Sequence, residues 1–308
     1  NLGVLFEEYG KYSEAEACYR KAIEISPNFI NSIYNLGILL QVNKKFDDAA
    51  KLFKQIDFKK SNSYLLKCFY YKDKKNLFFS HLENLLERED SDALIGSLII
   101  NSEIKFGVSQ KNPFCNNPYK YILERNLIES CDFKNIFINN VNSFLNNNHI
   151  NYINQGLLKN GTQTAGNIFD INNPELDEIK KIINIEIQNY LVHFKNSTEG
   201  FIKKWPKKYT INGWLVSMKT GGELSPHMHE NGWISGSVYI NVPKDLKFDQ
   251  GKLVLSLSDD KKNKNKMILN INTGSICLFP SSLIHYTIPF TSSDKRIVLA
   301  FDVIPDEN

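Results

Sequence analysis

The last third of the chain is a close succession of short apolar segments separated by turn-forming residues. Six segments follow one another between glycine, proline and serine residues: WLVSMK, WISGSVYINV, KLVLSLS, GSICLFP, LIHYTIPF and RIVLAFDVI. Short apolar runs bounded in this way are typical of β-strands. Strand after strand with turn signals in between predicts an antiparallel sandwich or a jelly roll.

Three of the six histidines of the chain lie in this strand-rich region. His227 and His229 are two residues apart, and such residues project from the same face of a strand. His285 belongs to a different predicted strand. Three neutral imidazoles on two strands, with coordination positions left open, predict a site for a divalent transition metal. The alternative is a chance pair of structural histidines, and the third histidine and Arg296 argue against it.

Arg296 stands inside the mostly apolar segment KRIVLAFDV. A guanidinium in such a strand requires an anion, because an unpaired buried charge is costly.

In order, the motifs are an H-x-H pair, a strand ending in Tyr-Ile-Asn, a Gly…Phe-Pro-Ser…His stretch and an arginine, all within residues 208–308. This order resembles the double-stranded β-helix of the iron(II)- and 2-oxoglutarate-dependent oxygenases. It is most similar to the bacterial group whose catalytic domain follows tetratricopeptide repeats. The resemblance implies a jelly roll, Fe(II) as the metal, and 2-oxoglutarate and dioxygen as co-substrates.

The resemblance also implies roles for individual residues. His227 matches the first metal ligand and His285 the distal histidine. Arg296 matches the basic residue that clamps the distal carboxylate of 2-oxoglutarate, for which a forked guanidinium has suitable geometry. Tyr239 matches a tyrosine that adds its hydroxyl to the same carboxylate.

His229 departs from the pattern, because most of the superfamily has Asp or Glu at this position. One interpretation is a third imidazole ligand, which gives the site one negative charge less. The other is a carboxylate from elsewhere. Glu230 points to the opposite face of the strand, and Glu223 lies before it, so we favour His229.

A cupin-like metal site is a rival interpretation of the same histidines. The glycine spacing before His227 and the stretch from Gly274 to His285 fit much of that pattern. The expected glutamate is missing, since Trp233 and Ile234 stand at its position. Arg296 has no role in such a site, although both interpretations require a jelly roll.

The amino-terminal region contains a repeat with a period of 34 residues. The matching positions are Leu2-Gly3 with Leu36-Gly37, Ala15 with Ala49, and Tyr19 with Phe53. This period resembles the tetratricopeptide repeat, in which small residues let two antiparallel helices pack closely. Such helices can form a concave surface that binds a protein or peptide, and a purely structural cap is the alternative.

We therefore predict an α-helical tetratricopeptide solenoid followed by a double-stranded β-helix, a cupin-like jelly roll with buttressing helices. Residues 1–57 are predicted to hold the repeats, the first of them truncated. Residues 58–130 are predicted as degenerate helical repeats and linker, and residues 131–308 as the jelly roll. The segments INNVNSFLNNN and PELDEIKKIINIEIQNYLVHF have the apolar spacing of helices, and we expect them to buttress the outer face of the jelly roll.

Composition restricts the partners and the compartment. A net charge of +3 predicts neither a nucleic-acid nor a membrane partner. The five cysteines are scattered and odd in number, which indicates reduced thiols and a cytoplasmic location.

The function predicted from these observations is a 2-oxoglutarate-dependent dioxygenase that hydroxylates its substrate, with a repeat region for protein interaction. The alternative is a cupin-like metal-binding protein or a non-catalytic repeat scaffold. We predict Gln163 and, at the pocket rim, Trp233 as substrate contacts; Trp214 is predicted to lie in the core.

Overall fold

The computed structural model describes residues 2–146, 150–153 and 155–306. The chain forms two compact units, Asn1–Pro113 and Phe114–Asn308. Residues 147 and 148, the end of a helix predicted at INNVNSFLNNN, lie outside the described residues. The predicted three-part division with boundaries after residues 57 and 130 stays a prediction.

The described part of the first unit is helical. Its helices are α1 Leu2–Glu8, α2 Tyr12–Ile25, α3 Ile30–Val42, α4 Phe46–Phe53, α5 Ser61–Tyr71, α6 Lys75–Glu87 and α7 Ala93–Phe106. Each helix from α1 to α5 packs against the next, and α7 packs against α5. Short connections between consecutive helices make neighbours antiparallel, as in a solenoid of helix pairs.

The 34-residue period corresponds to a repeated contact between a glycine and an aromatic ring. A Cβ atom added at Gly3 would lie 2.5 Å from the ring of Tyr19, and one added at Gly37 would lie 2.6 Å from the ring of Phe53. Both rings are fully buried, at 1% and 0% exposure. Each glycine therefore lets one helix of a pair lie directly on the aromatic ring of the other.

The second unit is built around one antiparallel sheet. Its strands are β1 Leu123–Asn126, β2 Tyr152–Ile153, β3 Leu158–Thr164, β4 Tyr209–His227, β5 Ile234–Asn241, β6 Leu253–Ser256, β7 Lys266–Leu269, β8 Ser275–Pro280, β9 Ile284–Thr287 and β10 Arg296–Pro305. The order across the sheet is β1-β8-β5-β10-β4-β9-β6-β7, with β3 also on β4 and β2 on β3. Strands distant in sequence are neighbours, which confirms the predicted jelly roll.

The strand register places the predicted site residues. His227 at the end of β4 pairs with His285 of β9. β10 lies between β4 and β5, where Arg296 pairs with Met218 and Val298 pairs with Tyr239. Strand pairing within a single sheet thus brings His227, His285 and Arg296 together although they are far apart in the sequence.

In the described part of the second unit, three α-helices accompany the sheet: α8 Asn140–Leu145, α9 Pro174–His193 and α10 Gly200–Lys203. The Asn173 side chain accepts a hydrogen bond from the Leu176 N–H and so caps α9, with Pro174 at its first position. The buried side of α9 includes Ile183, and Glu186 pairs with Arg125 of β1 at 3.0 Å. This is one of the two predicted buttressing helices. Among the described residues, no helix is long and apolar enough to cross a membrane.

We expect Gly37→Ala to destabilise the first unit. In an exposed helix, alanine in place of glycine stabilises by about 1 kcal/mol. At position 37 the added methyl overlaps the Phe53 ring, and such overpacking costs about 1–3 kcal/mol. Urea unfolding followed by circular dichroism would measure the difference.

The second variant Gly37→Ala with Phe53→Leu is the control, because the smaller side chain makes room for the methyl group. We expect the Gly37→Ala penalty to be smaller in the Phe53→Leu background. A higher unfolding midpoint for Gly37→Ala alone would contradict the close glycine–ring packing.

Candidate metal centre

A cavity of about 550 Å³ opens into the sheet of the second unit. Its lining includes all three predicted metal ligands, together with Arg296 and Tyr239. The even-numbered residues of β10 from Arg296 to Ile304 line this cavity, as expected for one face of a strand.

The three histidines form one cluster. One potential ligand atom from each of His227, His229 and His285 lies within 4.8 Å of the others. The ring centroids of His227 and His285 are 4.3 Å apart, and those of His229 and His285 are 4.7 Å apart. Among the described residues this is the cluster of histidine, cysteine and acidic groups that could hold a metal ion.

Each imidazole directs Nδ1 towards an oxygen acceptor. Nδ1 of His227 lies 2.9 Å from the Ser225 carbonyl, and Nδ1 of His285 lies 3.4 Å from the Leu283 carbonyl. Nδ1 of His229 lies 2.7 Å from Oδ1 of Asp302. Because a carbonyl oxygen can only accept, Nδ1 carries the proton in His227 and His285. The lone pair on Nε2 is then free for a metal, and the bond to Asp302 favours the same tautomer in His229.

Burial keeps two of these imidazoles neutral. Burial, and next the neighbouring His229, lower the pKa of His227 from 6.5 to about 4. Burial also lowers the pKa of His285 well below 6.5, with smaller contributions from His227 and His229. A neutral imidazole is the form that binds metal, and imidazole suits iron among other divalent metals. The donor set therefore fits Fe(II) at neutral pH.

The structure also locates the two carboxylates considered as alternative ligands. Glu223 pairs with Lys159 at 3.2 Å and with Lys261. Its pKa is lowered chiefly by the hydrogen bond from Lys261 and further by Lys159. This carboxylate is therefore held by lysines. Glu230 lines the same cavity as the histidines, so its expected position on the opposite face is wrong, because β4 ends at His227 and strand alternation does not extend to Glu230. The histidine cluster itself contains His229 and not Glu230.

Arg296 is a buried cation, with 3% exposure. Its Nε donates to the Gly251 carbonyl at 2.9 Å, its Nη1 lies 4.0 Å from the Met218 sulfur, and its guanidinium carbon lies 5.3 Å from the Tyr239 ring centroid. Burial lowers the pKa of Arg296, and Tyr239 opposes this shift. In the described part of the chain these partners are all uncharged. The rest of the guanidinium fork can thus bind an anion that enters the cavity.

Tyr239 lies beside this cation and is 1% exposed. Burial raises the pKa of Tyr239, so its hydroxyl stays protonated and can donate a hydrogen bond.

Of the two predicted substrate contacts, Gln163 lines the cavity and Trp233 does not. Gln163 lines the cavity from β3. Trp233 packs edge-on against Phe114, and its indole N–H donates to the Phe201 carbonyl at 2.7 Å. The expected rim position of Trp233 is therefore wrong, because its indole is fixed in the core. Trp214, expected in the core, lines the cavity with its ring centroid 5.2 Å from that of His229.

Asp302 and Ser235 were not predicted from the sequence. Asp302 carries the carboxylate behind His229, and Ser235 donates to that carboxylate at 2.7 Å. One signal was available for Asp302. It is an acidic residue in an apolar strand, separated from Arg296 by an even number of positions and hence on the same face.

We expect the metal-free protein to lose stability as the pH falls from 6.5 to 4. In this window the unfolded chain protonates His227 while the folded protein does not, so protons favour unfolding. Above pH 6.5 both states are neutral at this residue and the contribution vanishes. Urea unfolding at pH 7 and at pH 4.5 would measure the loss.

His227→Gln should show a smaller loss between the two pH values, and His193→Gln, on the exposed side of α9, should behave as the wild type. An equal pH dependence in wild type and His227→Gln would contradict the depressed pKa.

Several solved structures are distantly similar to this chain. A prolyl-4-hydroxylase from Pseudomonas putida has 9% identity and a TM-score of 0.45, and the match covers 68% of this chain and 99% of that one. A prolyl hydroxylase from Trichoplax adhaerens, solved with a hypoxia inducible factor peptide fragment, has 11% identity and a TM-score of 0.43, with coverages of 71% and 91%. HygX from Streptomyces hygroscopicus, solved with nickel and 2-oxoglutarate, has 9% identity and a TM-score of 0.42, with coverages of 60% and 82%.

No curated protein sequence matches this chain. Family models do match it. Residues 212–302 match the family described as "Putative 2OG-Fe(II) oxygenase", and residues 1–29 and 18–51 match the tetratricopeptide repeat. Both resemblances stated from the sequence are thereby confirmed. The chain carries tetratricopeptide repeats at its amino-terminal end and, over residues 212–302, an oxygenase domain of the family that uses Fe(II) and 2-oxoglutarate.

Proposed function

We propose that the oxygenase domain is a hydroxylase whose iron is held by His227, His229 and His285 and whose 2-oxoglutarate is held by Arg296 and Tyr239. The observation that carries this assignment is a buried guanidinium in the same cavity as the histidine cluster, with uncharged partners in the described part of the chain. An arginine does not lose its charge on burial, so this pocket favours an anionic ligand.

When bound, Fe(II) would supply the reaction of dioxygen with 2-oxoglutarate that oxidises a substrate C–H bond to an alcohol and releases succinate and carbon dioxide. The residues of the chain bind and orient the co-substrate in this reaction. Arg296 can hold one carboxylate through two parallel N–H···O bonds, and the Tyr239 hydroxyl can donate to the same group. Anchoring the far end of the co-substrate presents its keto-acid end to the histidines in one orientation.

Apolar walls support this binding. Leu253 and Val298 line the cavity and belong to a buried apolar cluster that also contains Tyr239. Water is poorly accommodated between such side chains, and an ion pair is stronger where water is excluded. The cavity thus favours a dicarboxylate that matches the guanidinium over a neutral ligand.

A cupin-like metal site or a non-catalytic scaffold would leave Arg296 without a function. Burying an unpaired guanidinium costs stability, and in a cavity that bound no anion no ion pair would offset this cost. The oxygenase assignment uses this residue and is therefore the one that we propose.

The repeats support a second part of the proposal, in which the first unit binds a protein or peptide. Paired helices of this kind present a groove of repeated side chains. We also propose a cytoplasmic location, supported by five free thiols. The small net charge supports neither a nucleic-acid nor a membrane partner.

Arg296→Gln should weaken 2-oxoglutarate binding by at least about 30-fold, because truncating one partner of a buried charge pair costs about 2–5 kcal/mol. The measurement is an anaerobic titration of the Fe(II)-loaded protein with 2-oxoglutarate, followed by the visible charge-transfer band. Fe(II) affinity should be unchanged, since Arg296 is not one of the proposed ligands.

Lys295→Gln is the matched control, because it removes an exposed cation from the neighbouring position and should bind 2-oxoglutarate as the wild type does. Wild-type protein that binds Fe(II) without a charge-transfer band at saturating 2-oxoglutarate would refute the hydroxylase assignment. Normal 2-oxoglutarate affinity in Arg296→Gln would refute only the role of the arginine.

A further inference from the structure

Asp302 is a buried carboxylate, 6% exposed, on the cavity face of β10. Its Oδ1 lies 2.7 Å from Nδ1 of His229 and accepts a second hydrogen bond from Ser235 Oγ at 2.7 Å. A carboxylate with two donors at this distance has the geometry of charge-assisted hydrogen bonds. The contact is therefore a specific one.

The carboxylate belongs to a small buried network. Ser235 Oγ also lies 2.8 Å from Ser281 Oγ, and the two serines are 1% and 0% exposed. The backbone packs directly against these groups at Gly232, where an added Cβ would lie 2.5 Å from Ser281 Oγ and 3.2 Å from Asp302 Cγ. Asp302 is thus held in place from three sides.

His229 differs from the other two histidines in its acceptor. Nδ1 of His227 and Nδ1 of His285 each face a neutral backbone carbonyl, whereas Nδ1 of His229 faces a carboxylate. Three neutral imidazoles bring no negative charge to a divalent ion. Behind a ligating imidazole, a carboxylate fixes the tautomer and raises the basicity of the ligand nitrogen.

We propose that Asp302 is a positioning residue of the metal centre, which accepts the Nδ1–H of His229, holds Nε2 towards the metal and supplies negative charge through that hydrogen bond. The proposal rests on the metal site of the proposed function. The negative charge that the three imidazoles lack is then supplied by Asp302, on the side of His229 that faces away from the metal. Ser235 and Ser281 orient Asp302, and Gly232 leaves the space for them.

Asp302→Asn should weaken the binding of Co(II), used alone as a spectroscopic probe, by about 10- to 100-fold, the usual effect of removing such a partner. Asparagine preserves the shape and an acceptor oxygen but removes the charge, so the fold should persist and circular dichroism would check it. Asp306→Asn is the matched control, because it removes an exposed carboxylate beyond the end of β10. It should bind Co(II) as the wild type does.

A double-mutant cycle separates positioning from general support of the fold. In a His229→Asp background no imidazole connects Asp302 to the metal, so adding Asp302→Asn should cause no further loss of Co(II) affinity. A purely structural Asp302 would give the same loss in both backgrounds, and this result would overturn the proposal.

A second measurement does not need metal. Nitrogen-15 NMR of the histidine rings in the metal-free protein should show His229 as the Nδ1–H tautomer, and Asp302→Leu, which removes the acceptor oxygen, should shift it towards a mixture. Ser235→Ala should give a smaller shift of the same kind. An unchanged tautomer in Asp302→Leu would overturn the proposal.

The outcomes also separate this proposal from the proposed function. Equal Co(II) affinity in wild type and Asp302→Asn would overturn the role of Asp302 and leave the hydroxylase assignment standing. A weakened variant, in a protein that binds Co(II) but gives no charge-transfer band with Fe(II) and 2-oxoglutarate, would support Asp302 and refute the hydroxylase. A wild type that binds no Co(II) would overturn both.

Discussion

The pairing of β4 with β9 is the constraint on which the metal centre depends. His227 and His285 are opposite each other in this antiparallel ladder, and an irregularity in the register lies between Leu224 and His227. Because side chains alternate between faces, a slip of one residue would turn His285 away from the cavity. Backbone hydrogen bonds thus set two of the three ligands, whereas His229 follows the end of β4 and is held by its hydrogen bond to Asp302.

The sequence predicted those features that rest on short spacings. The 34-residue period brings each glycine to an aromatic ring, and both histidines of the pair line one cavity with His285. The argument from a shared strand face applies only to His227, because β4 ends there and His229 follows it. The contact between Asp302 and His229 depends on the pairing of β10 with β5, where Asp302 is opposite Ser235, and on the path of the chain after β4, which no local pattern specifies. The two tryptophans differ in the reason why their expected positions failed. Trp214 shares a face of β4 with Val216 and Met218, which also line the cavity, so strand alternation was sufficient to place it there. Trp233 precedes β5, where strand alternation does not set its direction.

Two buried charged residues of the cavity belong to one strand. The proposed anion site and the carboxylate behind His229 both belong to β10, at Arg296 and Asp302, and apolar or small residues lie between them on the same face. Each charge is stabilised by its own partners: the first by uncharged groups that leave it available, the second by two hydrogen bonds. A buried charge without such partners would cost several kcal/mol.

Arg296 and Asp302 are six positions apart on β10, and this spacing restricts insertions and deletions between them. Six strand positions correspond to about 20 Å of extended chain, and both edges of β10 are bonded to neighbours. Loss or gain of a single residue between them would leave one of the two facing outwards. Insertions and deletions in this segment are therefore tolerated only in pairs, whereas the loops at either end of the strand can vary in length.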